Sequence, residues 1–160
     1  ILLDVLNQLK DIYIIFTMPN ADLDGRVIKE MINKFVSNHS NRSISFISMG
    51  HLNYISTLQY VDGVIGNSSS GLTEAPTFNI GTINIGDRQK GRAKAGSIID
   101  CKPDKESILE AIKKLYSLDF QRSLSKSVNP YGEGGAVDKI ITNLKNNKIP
   151  QNLKKEFFNS

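Results

Sequence analysis

The sequence contains few residues that could form a disulfide or a metal site: it has one cysteine and two histidines among 160 residues. A single thiol cannot form an internal disulfide, which excludes the class of small secreted domains that such bonds stabilise. Cys101 also lacks the spacing of a zinc site with His39 or His51. We therefore expect no metal, no cofactor and a reducing, cytoplasmic location.

Long hydrophobic runs and a strong charge of one sign are missing too. The longest apolar run, around residues 12–16, has the length of a strand and not the ~20 residues that a membrane-spanning helix needs. The net charge is only +4, and the lysines are spread along helical patterns instead of clustering with aromatic residues. We expect neither a membrane nor a nucleic acid as a partner, and small anionic ligands fit the composition better.

Short apolar runs alternate with amphipathic helical patterns over most of the chain. Short strands separated by helices favour parallel pairing through right-handed crossovers. The sequence therefore predicts an α/β fold, a Rossmann-like parallel sheet with helices on both faces. The predicted strands are residues 12–18, 44–48, 63–66, 82–85 and 97–100, and the predicted helices are residues 1–10, 27–36, 52–60, a short one after Gly71, residues 104–115 and a last one from Glu133 or Gly134 to about residue 147.

Asn67 and three serines follow the third predicted strand, in a segment that we call the serine turn (residues 67–70). Open α/β sheets bind their ligands at this end of their strands. Hydroxyl and backbone N–H groups at the start of a helix stabilise an anion, although serines there also act as ordinary helix caps. Glu74, one helical turn further, could pair with the helix dipole or accept hydrogen bonds from the vicinal hydroxyls of a ribose.

A second polar segment follows the fourth predicted strand, and we call it the basic loop (residues 86–92). It carries Arg88, Lys90 and Arg92 among glycines. Because adjacent parallel strands end side by side, this loop can face the serine turn, and guanidinium groups suit phosphate. Two anion-binding features at neighbouring strand ends favour a diphosphate pocket over a capped helix beside a surface loop.

Four segments resemble the hydrolysing UDP-N-acetylglucosamine 2-epimerases, in the order and spacing of that family. They are MPNAD at residues 18–22, GNSSSGLTEAP at 66–76, INIGDRQKGR at 83–92 and NPYGEGGAVDKI at 129–140. The resemblance implies the glycosyltransferase-B architecture, in which two Rossmann-like domains face each other across a cleft. Residues 1–150 would be the second, C-terminal nucleotide-binding domain, and residues 151–160 a C-terminal tail. The N-terminal domain would be absent from this chain, which begins like a piece of a longer protein.

The resemblance also implies contacts for individual residues with a bound UDP-sugar. Ser68 and Ser69 would contact the diphosphate, and Glu74 would bind the ribose hydroxyls. Arg88 would lie beside them in the nucleotide site. Asn20 would touch the nucleotide or the sugar from a neighbouring strand end.

Tyr54 occupies a position where the family often carries a phenylalanine near the uracil, so it is expected to be an aromatic platform, with a half-buried helix aromatic as the alternative. The carboxylates and the histidine that transfer protons in the family lie outside this chain, so we assign it no catalytic residue. His51 is expected to cap a helix or lie on the surface. Cys101 is expected to be a small core residue.

The implied reaction converts UDP-N-acetylglucosamine to N-acetylmannosamine and UDP by elimination of UDP and then hydration, for the biosynthesis of sialic-acid-type sugars. The expected partners are the UDP-sugar, UDP and the missing N-terminal domain, and a homo-oligomer of the full-length enzyme stays open. This chain alone is expected to be inactive. The alternatives are a glycosyltransferase of the same architecture, a related epimerase acting on UDP-diacetylbacillosamine or a GDP-linked sugar, and a nucleotide-binding or interaction module.

Overall fold

A computed structural model of the protein describes residues 1–19, 25–132 and 134–147. Strands and helices alternate in it, which confirms the predicted α/β class. The elements are α1 (Leu2–Gln8), β1 (Ile14–Thr17), α2 (Gly25–Asn38), β2 (Ser43–Phe46), α3 (Gly50–Leu58), β3 (Gly63–Gly66), α4 (Ser70–Thr73), a 3-10 turn (Ala75–Phe78), β4 (Gly81–Ile85), β5 (Ile98–Cys101), α5 (Lys105–Leu115), α6 (Leu118–Leu124) and α7 (Ala136–Asn146).

All strand pairs of the described residues are parallel, as predicted, and they form two hydrogen-bonded groups. β1 pairs with β2, with Ile14 opposite Ser43. β4 lies between β3 and β5, so that Gly66 is opposite Asn84 at one edge of β4 and Asn84 is opposite Asp100 at the other. The carboxyl ends of β3, β4 and β5 therefore lie side by side, which is the arrangement that places the serine turn and the basic loop at one edge.

The main hydrophobic core lies between the three-stranded sheet and the helices α5 and α6. Ile83 of β4 and Ile99 of β5 pack there against Leu115 of α5 and Phe120 of α6. Full burial of such a side chain contributes about 1.5–3 kcal/mol. The smaller β1–β2 pair is covered on one face by α2, whose Phe35 meets Phe16 edge to face at 5.5 Å between ring centroids.

Two features of the helices differ from the sequence prediction. The last helix begins at Ala136 and not at residue 133 or 134, because Gly134 and Gly135 have φ values of +95° and +71°, which are incompatible with a right-handed helix. The helix α6 was not predicted, since its seven residues are too few for a clear periodic pattern. Ser117 caps it by accepting a hydrogen bond from the backbone N–H of Phe120.

Among the described residues, no helix combines the length and the apolar character that crossing a membrane requires. The same residues bring no three histidine, cysteine, aspartate or glutamate side chains together as a metal site would.

Candidate functional site

The candidate site lies at the carboxyl ends of β3 and β4. The side chain of Gln89, in the middle of the basic loop, donates a hydrogen bond from Nε2 to the backbone oxygen of Asn67, at 2.8 Å. Gln89 is buried, with 3% of its surface exposed, so its side chain lies between the two segments and not at the protein surface. The serine turn and the basic loop therefore meet, as the sequence predicts.

The serine turn leads into α4, which packs directly on the sheet. Gly71 makes this approach possible, because a Cβ atom at this position would lie 2.7 Å from Cγ2 of Thr82 on β4. The hydroxyl of Thr82 donates to the backbone oxygen of Gly71 at 2.9 Å. Leu72 is fully buried beside this contact. Packing thus fixes the position of the turn relative to β4.

The hydroxyl groups of the turn form a short chain. Ser70 Oγ lies 2.6 Å from the phenol oxygen of Tyr54 and 3.4 Å from Ser68 Oγ. Ser69 is the N-cap residue of α4, but its side chain makes no capping hydrogen bond. Both Ser68 and Ser69 are exposed at the protein surface. The two serines that the resemblance assigns to a diphosphate can therefore be reached by a ligand.

Ser70 is the residue of this cluster that sequence reasoning missed. It is the third serine of the run, and it faces Tyr54 because α4 begins at this residue and sets the direction of its side chain. Only the run of three serines hinted at its role. The structure thus divides the run, with Ser70 turned inward and Ser68 and Ser69 turned toward solvent.

Tyr54 projects from α3 into this cluster and is half-buried. Burial raises the pKa of its phenol; the hydrogen bond to Ser70 opposes that change and the negative charge of Glu74 adds to it. The Tyr54 hydroxyl is therefore protonated at neutral pH and can donate or accept a hydrogen bond. Its contact with Ser70 brings Tyr54 to the serine turn, which the sequence did not show.

The other predicted site residues lie in three different situations. Glu74 follows α4 directly, is half-buried, and is close enough to Tyr54 for its charge to act there. Arg88 lies exposed on the basic loop, next to the buried Gln89. Asn20 lies outside the described residues.

Two residues that could have been taken for reactive groups have ordinary surroundings. His51 is exposed in the first turn of α3, in agreement with a surface residue. Cys101 packs against the main core, and burial, followed by the charges of Asp104 and Asp100, raises the pKa of its thiol. A thiol with a raised pKa is a poor nucleophile, in agreement with a core residue.

Comparison with known proteins gives consistent matches. A family model described as UDP-N-acetylglucosamine 2-epimerase matches residues 1–145. The chain is 39% identical over 157 residues to the GDP/UDP-N,N'-diacetylbacillosamine 2-epimerase (hydrolyzing) of Campylobacter jejuni, covering 98% of this chain and 40% of that protein. It is 36% identical over 131 residues to the polysialic acid biosynthesis protein P7 of Escherichia coli, covering 82% of this chain and 33% of that protein.

The fold has matches among solved structures as well. The crystal structure of a UDP-N-acetylglucosamine 2-epimerase is similar to 99% of this chain, with a TM-score of 0.64 and 17% sequence identity, and the match covers 42% of that protein. The chain thus spans about a third to two fifths of the length of these relatives.

Proposed function

The chain belongs to the UDP-N-acetylglucosamine 2-epimerase family, an enzyme family, and on this basis we propose that it is the nucleotide-binding half of a hydrolysing UDP-sugar 2-epimerase. The observation that carries the proposal is the hydrogen bond from Gln89 to Asn67, which joins the basic loop to the serine turn. It brings hydroxyl donors and cations to adjacent strand ends, where an anionic leaving group would be bound.

The reaction that we propose proceeds in two steps. A base removes the proton at C2 of the sugar, the C2–H electrons form the C1=C2 double bond, and the C1–O bond breaks, leaving its electron pair on UDP. Water then adds to the resulting 2-acetamidoglucal, with hydroxyl at C1 and a proton at C2 on the opposite face. The products are UDP and the free 2-epimeric sugar.

In this scheme, the chain stabilises the leaving group. The C1–O bond can break faster if the charge that develops on the diphosphate meets donors that are already in position. We assign this role to Ser68, Ser69 and Arg88, which are accessible at the site. Glu74 would bind the ribose and Tyr54 would lie near the uracil. The two proton transfers are assigned to groups outside this chain, and Asn20 remains a predicted nucleotide contact.

The test uses the full-length protein, which would include the N-terminal domain and which we call the intact protein. It identifies the product formed from UDP-N-acetylglucosamine in D₂O without any sugar acceptor. We expect UDP and N-acetylmannosamine with deuterium at C2, because the second step takes its proton from solvent. NMR identifies the sugar that is released and shows whether its C2 carries deuterium. Release of N-acetylglucosamine with hydrogen at C2 would indicate simple hydrolysis and would contradict the proposal. A requirement for an acceptor would indicate a glycosyltransferase instead.

A second candidate substrate is a nucleotide-linked N,N'-diacetylbacillosamine, which the 39% identity to an epimerase named for that sugar favours. The chemistry at C1 and C2 would be the same, and only the contacts with the rest of the sugar would differ. We propose UDP-N-acetylglucosamine first, on the description of the family model. Comparing kcat/KM for the two sugars as UDP and GDP derivatives decides between them.

A further inference from the structure

The segment that precedes α7 contacts both α4 and the chain that leaves the basic loop. We propose that Tyr131 in this segment is a positioning residue that holds the basic loop for nucleotide binding. We call residues 127–132 the bridging segment. The inference rests on the proposed function, since it concerns the same site. Tyr131 lies in the fourth segment that resembles the family, but it is not among the residues assigned to the nucleotide above.

The first end of the bridging segment is attached to the helix that carries the serine turn. Asn129 donates from Nδ2 to the backbone oxygen of Thr73, the last residue of α4, at 2.9 Å, and to Oγ1 of Thr77 at 2.8 Å. Its Oδ1 atom accepts a hydrogen bond from the backbone N–H of Tyr131 at 3.0 Å. Asn129 thus sets the position of Tyr131 relative to α4.

The second attachment is to the chain that leaves the basic loop. The hydroxyl of Tyr131 donates to the backbone oxygen of Ala93 at 3.0 Å. Ala93 directly follows Arg92, the last residue of the loop. Ser127 adds a further hydrogen bond, since its Oγ accepts from the backbone N–H of Ser97 at 3.1 Å. The bridging segment therefore runs from α4 to the exit of the basic loop.

With these contacts, and with the backbone hydrogen bond that Gly86 donates to Cys101, the basic loop is held at its start, its middle and its exit. Gln89 fixes its middle to Asn67, and Tyr131 fixes its exit through Ala93. The cationic side chains of the loop are themselves exposed, so packing does not orient them. A guanidinium binds a phosphate well only when its geometry is defined, and ordering a mobile backbone on binding reduces affinity. The Tyr131 hydroxyl would supply part of that order before the nucleotide arrives.

Tyr131 is suited to a test that separates positioning from folding. Its side chain is 45% exposed and its hydrogen bond lies at the surface, so loss of the hydroxyl should change the stability of the fold little. Tyr116, at the end of α5, is 51% exposed and lies at the opposite ends of the strands, next to the chain that enters β3. Tyr116→Phe is therefore a matched control.

The experiment compares the dissociation constant of UDP for the intact protein and for Tyr131→Phe by calorimetry. We expect affinity to fall about fivefold, the effect of one net hydrogen bond, with little change in Tm and no change in affinity for Tyr116→Phe. The same substitution is then made in an Arg88→Ala/Arg92→Ala background. If Tyr131 acts through the basic loop, its effect should fall there to less than about twofold.

The outcomes separate the inference from the proposed function. Equal losses in both backgrounds would mean that Tyr131 does not act through the cations of the loop, and would overturn the inference. Unchanged UDP affinity in Tyr131→Phe would overturn it as well, while leaving the proposed function intact. Failure of the unmodified protein to bind UDP would overturn the proposed function, and the inference with it.

Discussion

The two parallel sheets that the described residues form differ in how completely their faces are covered. On β4, in the middle of the three-stranded sheet, Thr82, Ile83 and Asn84 are each at most 2% exposed. On the β1–β2 pair, Ile15 and Ile44 are register partners and remain 43% and 49% exposed. The candidate site lies on the well-covered sheet. The difference suggests that β3–β5 supports the site, whereas β1–β2 contributes little to its rigidity.

The reason for the difference is the number of elements that pack on each sheet. The three-stranded sheet has α5 and α6 on one side, and on the other α4 approaches β4 so closely that only glycine fits at Gly71. The β1–β2 pair packs against α2 through Phe16 and Phe35, and its other face keeps apolar side chains in water. A position that is packed from both sides cannot shift without losing contacts, so the hydroxyl groups on α4 are held in place.

The largest expected effect is on stability and tests this comparison directly. Ile83→Ala should lower the free energy of unfolding by about 2–5 kcal/mol, because it removes buried methyl groups and leaves a cavity. Ile44→Ala, at a half-exposed position of the other sheet, should cost less than about 1 kcal/mol. Denaturant unfolding of the intact protein measures both. Equal costs would contradict the idea that the two sheets differ in packing.

The second effect concerns UDP affinity. Arg88→Ala, and separately the double change Ser68→Ala/Ser69→Ala, should each weaken UDP binding by about tenfold or more, since hydrogen bonds to a charged group contribute roughly 1.5–3 kcal/mol. Calorimetric titration of the intact protein with UDP measures the loss. The controls lie beside the other sheet.

Those controls are Lys34→Ala and Ser37→Ala, which change exposed residues in the second half of α2. Neither should alter UDP affinity, because both lie on the helix that covers the β1–β2 pair. If the controls weakened binding as much as the site variants, long-range electrostatics would explain the effect and the assignment of the site would be wrong.

A smaller effect is expected at Tyr54, the residue that links α3 to the serine turn. Tyr54→Phe removes the hydroxyl that contacts Ser70, so UDP affinity should fall about threefold. Because burial raises the pKa of this phenol, it keeps its proton from about pH 6 to 9, and the ratio between the two proteins should stay constant over that range. A ratio that approached one toward pH 9 would show that the phenol ionises there.

The comparison also explains which features could be predicted from sequence. The strands of both sheets were recognisable because each carries apolar residues over a few positions, as a continuous run in β1 or alternating with serine in β2, a pattern that depends on neighbours in the chain. The meeting of the two loops was predictable in outline, since it follows from parallel pairing. That Gln89 makes the contact, and that Ser70 is the serine facing Tyr54, was not predictable. Both depend on side-chain directions set by packing across the sheet.

The smallest expected effect concerns the start of α5, the helix that covers the three-stranded sheet. Asp104 caps it and accepts hydrogen bonds from the backbone N–H and the hydroxyl of Ser107. These bonds, the backbone one first, lower the pKa of the Asp104 carboxyl. Such a carboxylate stabilises the fold at pH values above its unfolded pKa, and this contribution is lost as the pH falls through the lower, folded pKa.

Asp104→Ala should therefore destabilise the protein slightly at pH 7, and its difference from the unmodified protein should narrow as the pH is lowered through the acidic range. Asp104→Asn is the matched control, because its amide oxygen can still cap the helix but does not titrate. The gap between the Asn and Ala variants should stay constant with pH, as measured by denaturant unfolding. The contrary result would be a difference in the free energy of unfolding between the unmodified protein and the Ala variant that is equally independent of pH. In that case the charge of Asp104 would not contribute, and the capping hydrogen bonds alone would account for the stabilisation.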